Sequence, residues 1–144
     1  MTVTLIVPGR AVGKGRPRST KSGRMYTPAG TVKAEGDVRA AWYAAGQPRI
    51  DGRPPLQVLI ISAHRRPENH WRVNGSLSAA GERSQMPVRR PDIDNQIKLV
   101  LDSLNGAAYE DDVQVVSIKA VKRWAAPMEA EHVRVEVSEF RMAA

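Results

Sequence analysis

A chain of 144 residues with a net charge of +7 and no cysteine is long enough to bury a core of its own, and it excludes disulfides, iron–sulfur clusters and thiol nucleophiles. The charge is one-sided: residues 1–72 hold 13 Lys and Arg against 4 Asp and Glu, or +9, whereas residues 73–144 hold 9 against 11, or −2. Ahead of the first acid, Glu35, stand Arg10, Lys14, Arg16, Arg18, Lys21 and Arg24. That excess steers polyanions and binds them by counterion release, although a solvated basic surface has the same composition. Membrane partners are disfavoured. Gly, Pro and Ser interrupt any basic amphipathic helix, no stretch approaches the roughly 20 apolar residues of a membrane span, and the N-terminus lacks the basic start of a secretory signal. A cytoplasmic protein is expected.

In chain order, Thr2 to Val7 is a β-branched run closed by Pro8-Gly9, and it predicts a strand. Residues 9–27, rich in Gly, Pro, Ser and basic residues, predict a long loop. Thr27 as N-cap and Pro28 at the first helical position open a helix running to about Ala45, with Val38, Ala41, Trp42 and Ala45 on its apolar face. Leu56 to Ala63, apolar on both sides at Val58-Leu59-Ile60-Ile61, reads as a central strand. Residues 64–90 read as irregular. Ile93, Ile97, Val100, Leu101 and Leu104 share one helical face, with Asp92 as N-cap and Asn105-Gly106 as the stop. Val113 to Trp124 reads as a strand with a phase slip that marks a bulge, and Glu131 to Phe140 as an alternating strand paired antiparallel with it. The order β-α-β-α-β-β predicts a single α+β (mixed α/β) domain over residues 1–144, one mixed sheet with helices packed on it.

The chemistry concentrates in Arg90-Pro91-Asp92-Ile93-Asp94-Asn95, then Lys98, then Tyr109-Glu110-Asp111-Asp112. Asp92 and Asp94 sit two apart where the backbone is not yet helical, so their carboxylates can converge. A return strand beginning at Asp111-Asp112 can complete the site if it passes the same helix end. Oxygen-only ligands suit Mg²⁺ or Mn²⁺, ions that bind phosphate oxygens and activate water. Lys98, one turn beyond Asp94, can donate to a phosphate oxygen. The structural alternative is that Asp92 is only a cap, that Asp94 and Lys98 are an i, i+4 pair, and that Asp111-Asp112 is an ordinary turn. His64, His70 and His132 form no ligand pattern. His64 and His70 read equally as DNA contacts or surface residues, and Trp71, among basic residues, is either a stacking platform or core. The glycines at 13, 15 and 23 do not form a P-loop.

These segments resemble the RusA-type Holliday-junction resolvases, a family common in phages and prophages. The resemblance is carried by Arg90 to Asn95, Lys98, Leu101-Asp102-Ser103-Leu104-Asn105-Gly106 and Tyr109 to Val116. It extends to Lys14-Gly15-Arg16-Pro17-Arg18 with Tyr26-Thr27-Pro28, and more weakly to Arg66-Pro67 with His70. The resemblance implies a homodimer that binds four-way DNA junctions and nicks two opposed strands, with Mg²⁺ as cofactor and Mn²⁺ as its substitute. It implies Asp92, Asp94 and Asp112 as metal-binding catalytic carboxylates and Lys98 as the catalytic lysine. Asp111 and Asn95 are then supporting residues, and Asp102 is expected to pair with Lys98. Lys14, Arg16, Arg18, Lys21, Arg24, Arg65, Arg66, Arg89 and Arg90 are the expected DNA contacts. If phage-encoded, the protein would act in the bacterial host cytoplasm. The residues by themselves also allow a non-catalytic nucleic-acid-binding protein, or a metal nuclease acting on flaps or linear duplex. Leu56–Ala63 and the last strand are the apolar elements expected to supply a dimer interface.

Overall fold

The computed structural model describes residues 1–143. Its frame is a four-stranded mixed sheet of β1 (Thr2–Pro8), β4 (Leu56–His64), β5 (Val115–Trp124) and β6 (His132–Glu139), in the spatial order β1-β6-β4-β5. A two-residue hairpin, β2 (Arg18–Ser19) and β3 (Met25–Tyr26), lies within the first basic loop. The helices are α1 (Ala29–Ala44), α2 (Ala79–Arg83) and α3 (Ile93–Leu104). The α+β expectation holds, and the six main elements fall where periodicity put them.

Alternation builds the core. Val3, Leu5 and Val7 of β1, Val133, Val135 and Val137 of β6, and Leu56, Val58 and Ile60 of β4 present one buried face. Against it pack Val38 and Trp42 of α1 with Leu99, Val100 and Leu104 of α3. The opposite face carries Ile6, Leu59, Ile61, Arg134 and Glu136, and among the described residues no helix covers it. β4 is an inner strand, as its two-sided apolarity predicts. The phase slip in the fifth strand is a bulge: Leu56 aligns with Val115 but Gln57 with Ser117, leaving Val116 unmatched.

Several expectations are corrected. β5 and β6 are not an antiparallel pair. β5 runs parallel to β4, and β6 inserts between β1 and β4, antiparallel to both. A parallel pair needs a long crossover, which the segment containing α3 supplies, and β6 then takes the other side of β4. Helix α1 starts one residue late, with Pro28 rather than Thr27 at the N-cap and no side-chain cap. The segment 64–90 is not wholly irregular: Ser78 accepts from the Gly81 N–H and caps the short α2. The buried stripe of α3 is rotated from the apolar reading, because Gln96 and Ser103 are buried beside Leu99, whereas Ile93 is exposed. No helix is long and apolar enough to cross a membrane.

Candidate active site

Helix α3 carries most of the site. Asp92 holds the N-cap position in extended backbone (ψ 142°), and its carbonyl accepts from the Gln96 N–H at 3.0 Å. Its carboxylate, however, takes no backbone N–H, so the capping geometry is present while the acid stays uncommitted. Asp94, in the first turn, is exposed beside it and forms no ion pair with Lys98 among the described residues. The local alternative of a working cap and a helix-surface ion pair therefore does not describe these side chains. The segment leading into Asp92 is held from the sheet: Lys122 of β5 donates to the carbonyls of Arg89 (2.7 Å) and Pro91 (3.1 Å).

Asp112 arrives from the other end of the helix. Gly106, at φ +81°, turns the chain in the left-handed region that glycine tolerates. Tyr109, fully buried, donates its hydroxyl to the Leu101 carbonyl at 2.7 Å and so fixes the turn beneath α3. Burial, then the nearby Asp112 and Asp102 charges, push the Tyr109 phenol up. Asp111 caps the single 3₁₀ turn Asp112–Gln114: its carboxylate accepts from the Val113 N–H (3.2 Å), and the Asp111 N–H donates to Gln114 Oε1 (3.0 Å). Arg53 pairs with Glu110 at 3.0 Å and reaches Asp111 at 3.7 Å. Asp112 is left facing α3. Burial, a hydrogen bond with Asp111 and the charges of Asp111 and Asp102 raise its pKa, while Lys98 pulls it down.

The acids are thus strung along α3. Asp92 and Asp94 lie at its start, Lys98 one turn in, and Asp102 two turns in with Asp112 beside it, each turn advancing about 5.4 Å. Among the described residues no three acids or histidines are gathered closely enough to hold a metal ion. The donor chemistry still fits a hard divalent cation, being all carboxylate oxygen. Asp102 does not pair with Lys98. It pairs with Lys14 at 3.1 Å, and Lys14 also bonds Glu35 at 3.2 Å.

The expected DNA contacts divide. Arg16, Arg18, Lys21 and Arg24 are exposed on the first loop and its hairpin, and Arg65 and Arg90 are exposed elsewhere. Arg66 and Arg89 are used internally. Their guanidinium groups lie 5.3 and 5.2 Å from the Trp124 ring centroid, Arg66 donates to the carbonyls of Gly81 and Ser84, and Arg89 donates to that of Arg65. The aromatic among arginines is therefore Trp124, with His70 edge-on to it at 5.4 Å, while Trp71 is half-buried and bridged to Leu77. His64 is not a surface residue. It is buried and bonded to Ser62, and burial followed by the Arg89 and Lys122 charges lowers its pKa. Asn95 contributes its carbonyl, which accepts the Lys14 N–H at 2.9 Å. Lys122, Ser62 and Gln96 escaped the sequence reading, although two polar residues at Gln96 and Ser103 on an otherwise apolar helical stripe were a usable signal.

The family model of endodeoxyribonuclease RusA matches residues 8–138. The chain belongs to the RusA family. It is accordingly an endodeoxyribonuclease, a hydrolase of the kind that resolves Holliday junctions. This RusA-family chain is also 29% identical over 140 residues to a Bacillus subtilis (strain 168) protein described as the uncharacterized protein YqaN, covering 94% of this chain and 93% of that one. The match spans both the first basic loop and the acid-bearing turn, so fold and site lie within one family frame.

Proposed function

We propose that this RusA-family nuclease is a Mg²⁺-dependent homodimer that resolves four-way junctions by paired, symmetric nicks, acting in the cytoplasm and, if phage-encoded, in that of the bacterial host. The observation that carries the proposal is the uncommitted carboxylate of Asp92 at the cap of α3, next to Asp94 and on the same helix as Lys98, with Asp112 crowded by other acids further along. Asp92, Asp94 and Asp112 would hold the ion, with Mn²⁺ as a substitute. When bound, a hard divalent ion lowers the pKa of water and stabilises the leaving 3′ oxygen of an in-line displacement.

Lys98, exposed on the acid-bearing stripe, donates to a non-bridging phosphate oxygen and offsets the charge of Asp112. Asp111 acts through the turn it caps, holding Asp112 toward α3. The exposed bases Arg16, Arg18, Lys21, Arg24, Arg65 and Arg90 supply the salt-dependent hold on the phosphate backbone. A two-fold dimer suits a substrate with two equivalent scissile strands. β4 and β6 are inner strands, so their backbone edges cannot form the interface. Their outward side chains Leu59, Ile61, Arg134 and Glu136, together with Ile6, form an open face with an apolar centre and paired charges, which supports association through that face.

The test is to incubate the purified chain with a four-way junction, a flap and a linear duplex, each with Mg²⁺ or EDTA. Symmetric nicking confined to the junction and dependent on Mg²⁺ is the expected result. Cutting of flaps or duplex at equal rates replaces it with a less selective metal nuclease. Binding without cutting in any arm removes the catalytic reading.

A further inference from the structure

Lys14 is the first lysine of the basic loop, yet its ammonium does not face solvent as the others do. Its side chain is 21% exposed and sits between Glu35 of α1 (3.2 Å) and Asp102 of α3 (3.1 Å). Burial lowers its pKa, but the two acids outweigh burial and leave the pKa raised, so the ammonium is charged and neutralised in place. The backbone around it is fastened too. The Lys14 N–H donates to the Asn95 carbonyl at 2.9 Å, and the Gly15 N–H to the buried Thr31 hydroxyl at 3.0 Å. Gly13 lies so close to α3 that a Cβ there would stand 3.1 Å from the Cβ atoms of both Asn95 and Pro91.

This fastened segment lines a groove of about 400 Å³ together with Arg90, Pro91, Asp92 and Asn95. Arg10 lines the same groove. Arg10 and Arg90 are both exposed and carry no acid partner among the described residues. The groove lining thus includes two guanidinium groups without acid partners and Asp92, a proposed metal ligand.

We propose that Lys14 is a positioning residue and not a phosphate ligand: it fixes the groove wall against α3, and Arg10 and Arg90 take the phosphates of the strand that continues from the cut. The proposal rests on the nuclease reading above, because it names where that substrate strand lies. A phosphate ligand must shed its protein acids to bind DNA, whereas a strut keeps them, so the two roles differ in measurable ways.

The experiment compares wild type, Lys14→Gln, Glu35→Gln, their double variant and Arg10→Gln on a four-way junction. The readouts are the slope of log affinity against log salt and the single-turnover cleavage rate at saturating junction. Arg10→Gln is expected to reduce the salt slope by about 1, as loss of one phosphate contact does. Lys14→Gln is expected to leave the slope unchanged and to lower the saturated rate by about 10- to 100-fold, as misplacement of a reacting group does. Glu35→Gln should act in the same direction, and the double variant should be no slower than Lys14→Gln, because both remove one strut. A readout free of DNA accompanies these: trypsin cleavage after Arg18, Lys21 and Arg24 should quicken in both Lys14→Gln and Glu35→Gln. A slope reduced by about 1 in Lys14→Gln, with Glu35→Gln binding as tightly as wild type or tighter, makes Lys14 a phosphate ligand and overturns the proposal. An unchanged slope in Arg10→Gln removes the groove as a strand site. Wild type that binds but cuts nothing defeats the nuclease reading itself, and the proteolysis result then still decides the strut.

Discussion

The hydroxyl of Ser62, on the inner strand β4, donates to Oε1 of Gln96 on α3 at 3.3 Å, with both side chains almost wholly buried. The same hydroxyl lies 3.2 Å from His64 Nε2, and Arg89 approaches His64 Nδ1 at 3.5 Å. A neutral His64 with its proton on Nε2 satisfies this order: Arg89 donates to His64, His64 to Ser62, and Ser62 to Gln96. The polar relay crosses the core and ties the sheet to the helix that carries Asp92, Asp94 and Lys98.

Ser62→Ala should therefore destabilise by about 1–3 kcal/mol, since it leaves His64 Nε2 and Gln96 Oε1 buried without partners. In urea the midpoint should fall at an unchanged slope. An unchanged midpoint would show that the relay adds nothing to the fold.

Asp94→Asn should abolish cleavage while junction binding persists or tightens, because a negative charge is removed next to phosphate. Asp92→Asn and Asp112→Asn should behave alike. Gel-shift and nicking assays on one preparation separate the two effects, and wild-type cleavage by Asp94→Asn sinks the site assignment.

Asp111 and Asp112 are neighbours with different work to do, and Asn distinguishes them. Asn can still cap the turn in place of Asp111, and it forfeits an exposed contact with Arg53 while removing a charge that bears on Asp112, so Asp111→Asn should change stability by less than about 1 kcal/mol and keep cleaving. Asp111→Ala loses the cap and should cost about 0.5–2 kcal/mol. Thermal melts beside nicking rates make the comparison. A dead but stable Asp111→Asn would move Asp111 into the metal-binding set.

Divalent metal should stabilise the folded chain, because an ion held by Asp92, Asp94 and Asp112 binds the folded state and not the unfolded one. At a metal concentration 100 times its dissociation constant the gain is about 2.7 kcal/mol. Melting temperature in Mg²⁺ against EDTA reads it, and the shift should shrink in Asp94→Asn. An equal shift in that variant places the ion elsewhere.

Acid stability offers a test away from the site. Arg123 holds Glu129 through bonds of 2.6 and 2.7 Å, and that partner, with the Ala126 N–H, lowers the Glu129 pKa from 4.5 to about 2. A depressed carboxylate stabilises fully above its unfolded pKa and loses that contribution as pH falls through its folded pKa. The melting-temperature gap between wild type and Glu129→Gln should be full at pH 6 and close as pH drops from about 4.5 toward 2. A gap that is constant with pH would assign the effect to packing.

Periodicity and punctuation were sufficient for the six main elements, though not for the short α2 or the β2–β3 hairpin. The alternation of Val133, Val135 and Val137, the two-sided apolarity of Val58 to Ile61, and the Asn105-Gly106 stop are local patterns, and a single chain displays local patterns directly. The signature from Arg90 to Asp112 was equally legible, because its chemistry lies in residue types at fixed spacing.

What neighbours decided, the sequence could not display. Whether β5 pairs with β6 or with β4 depends on a competition for the edges of β4, settled by the crossover through α3 and not by any pattern within the strands. That Asp92 caps in geometry but not in hydrogen bonding, that Asp112 meets α3 beside Lys98 and Asp102, and that Lys14 is spent on Glu35 and Asp102 are all contacts between segments far apart in the chain. A basic residue looks alike in sequence whether it faces solvent or an acid. Only the packing of the first loop against α1 and α3 separated Lys14 from Arg16, because an ion pair is a property of two positions in space.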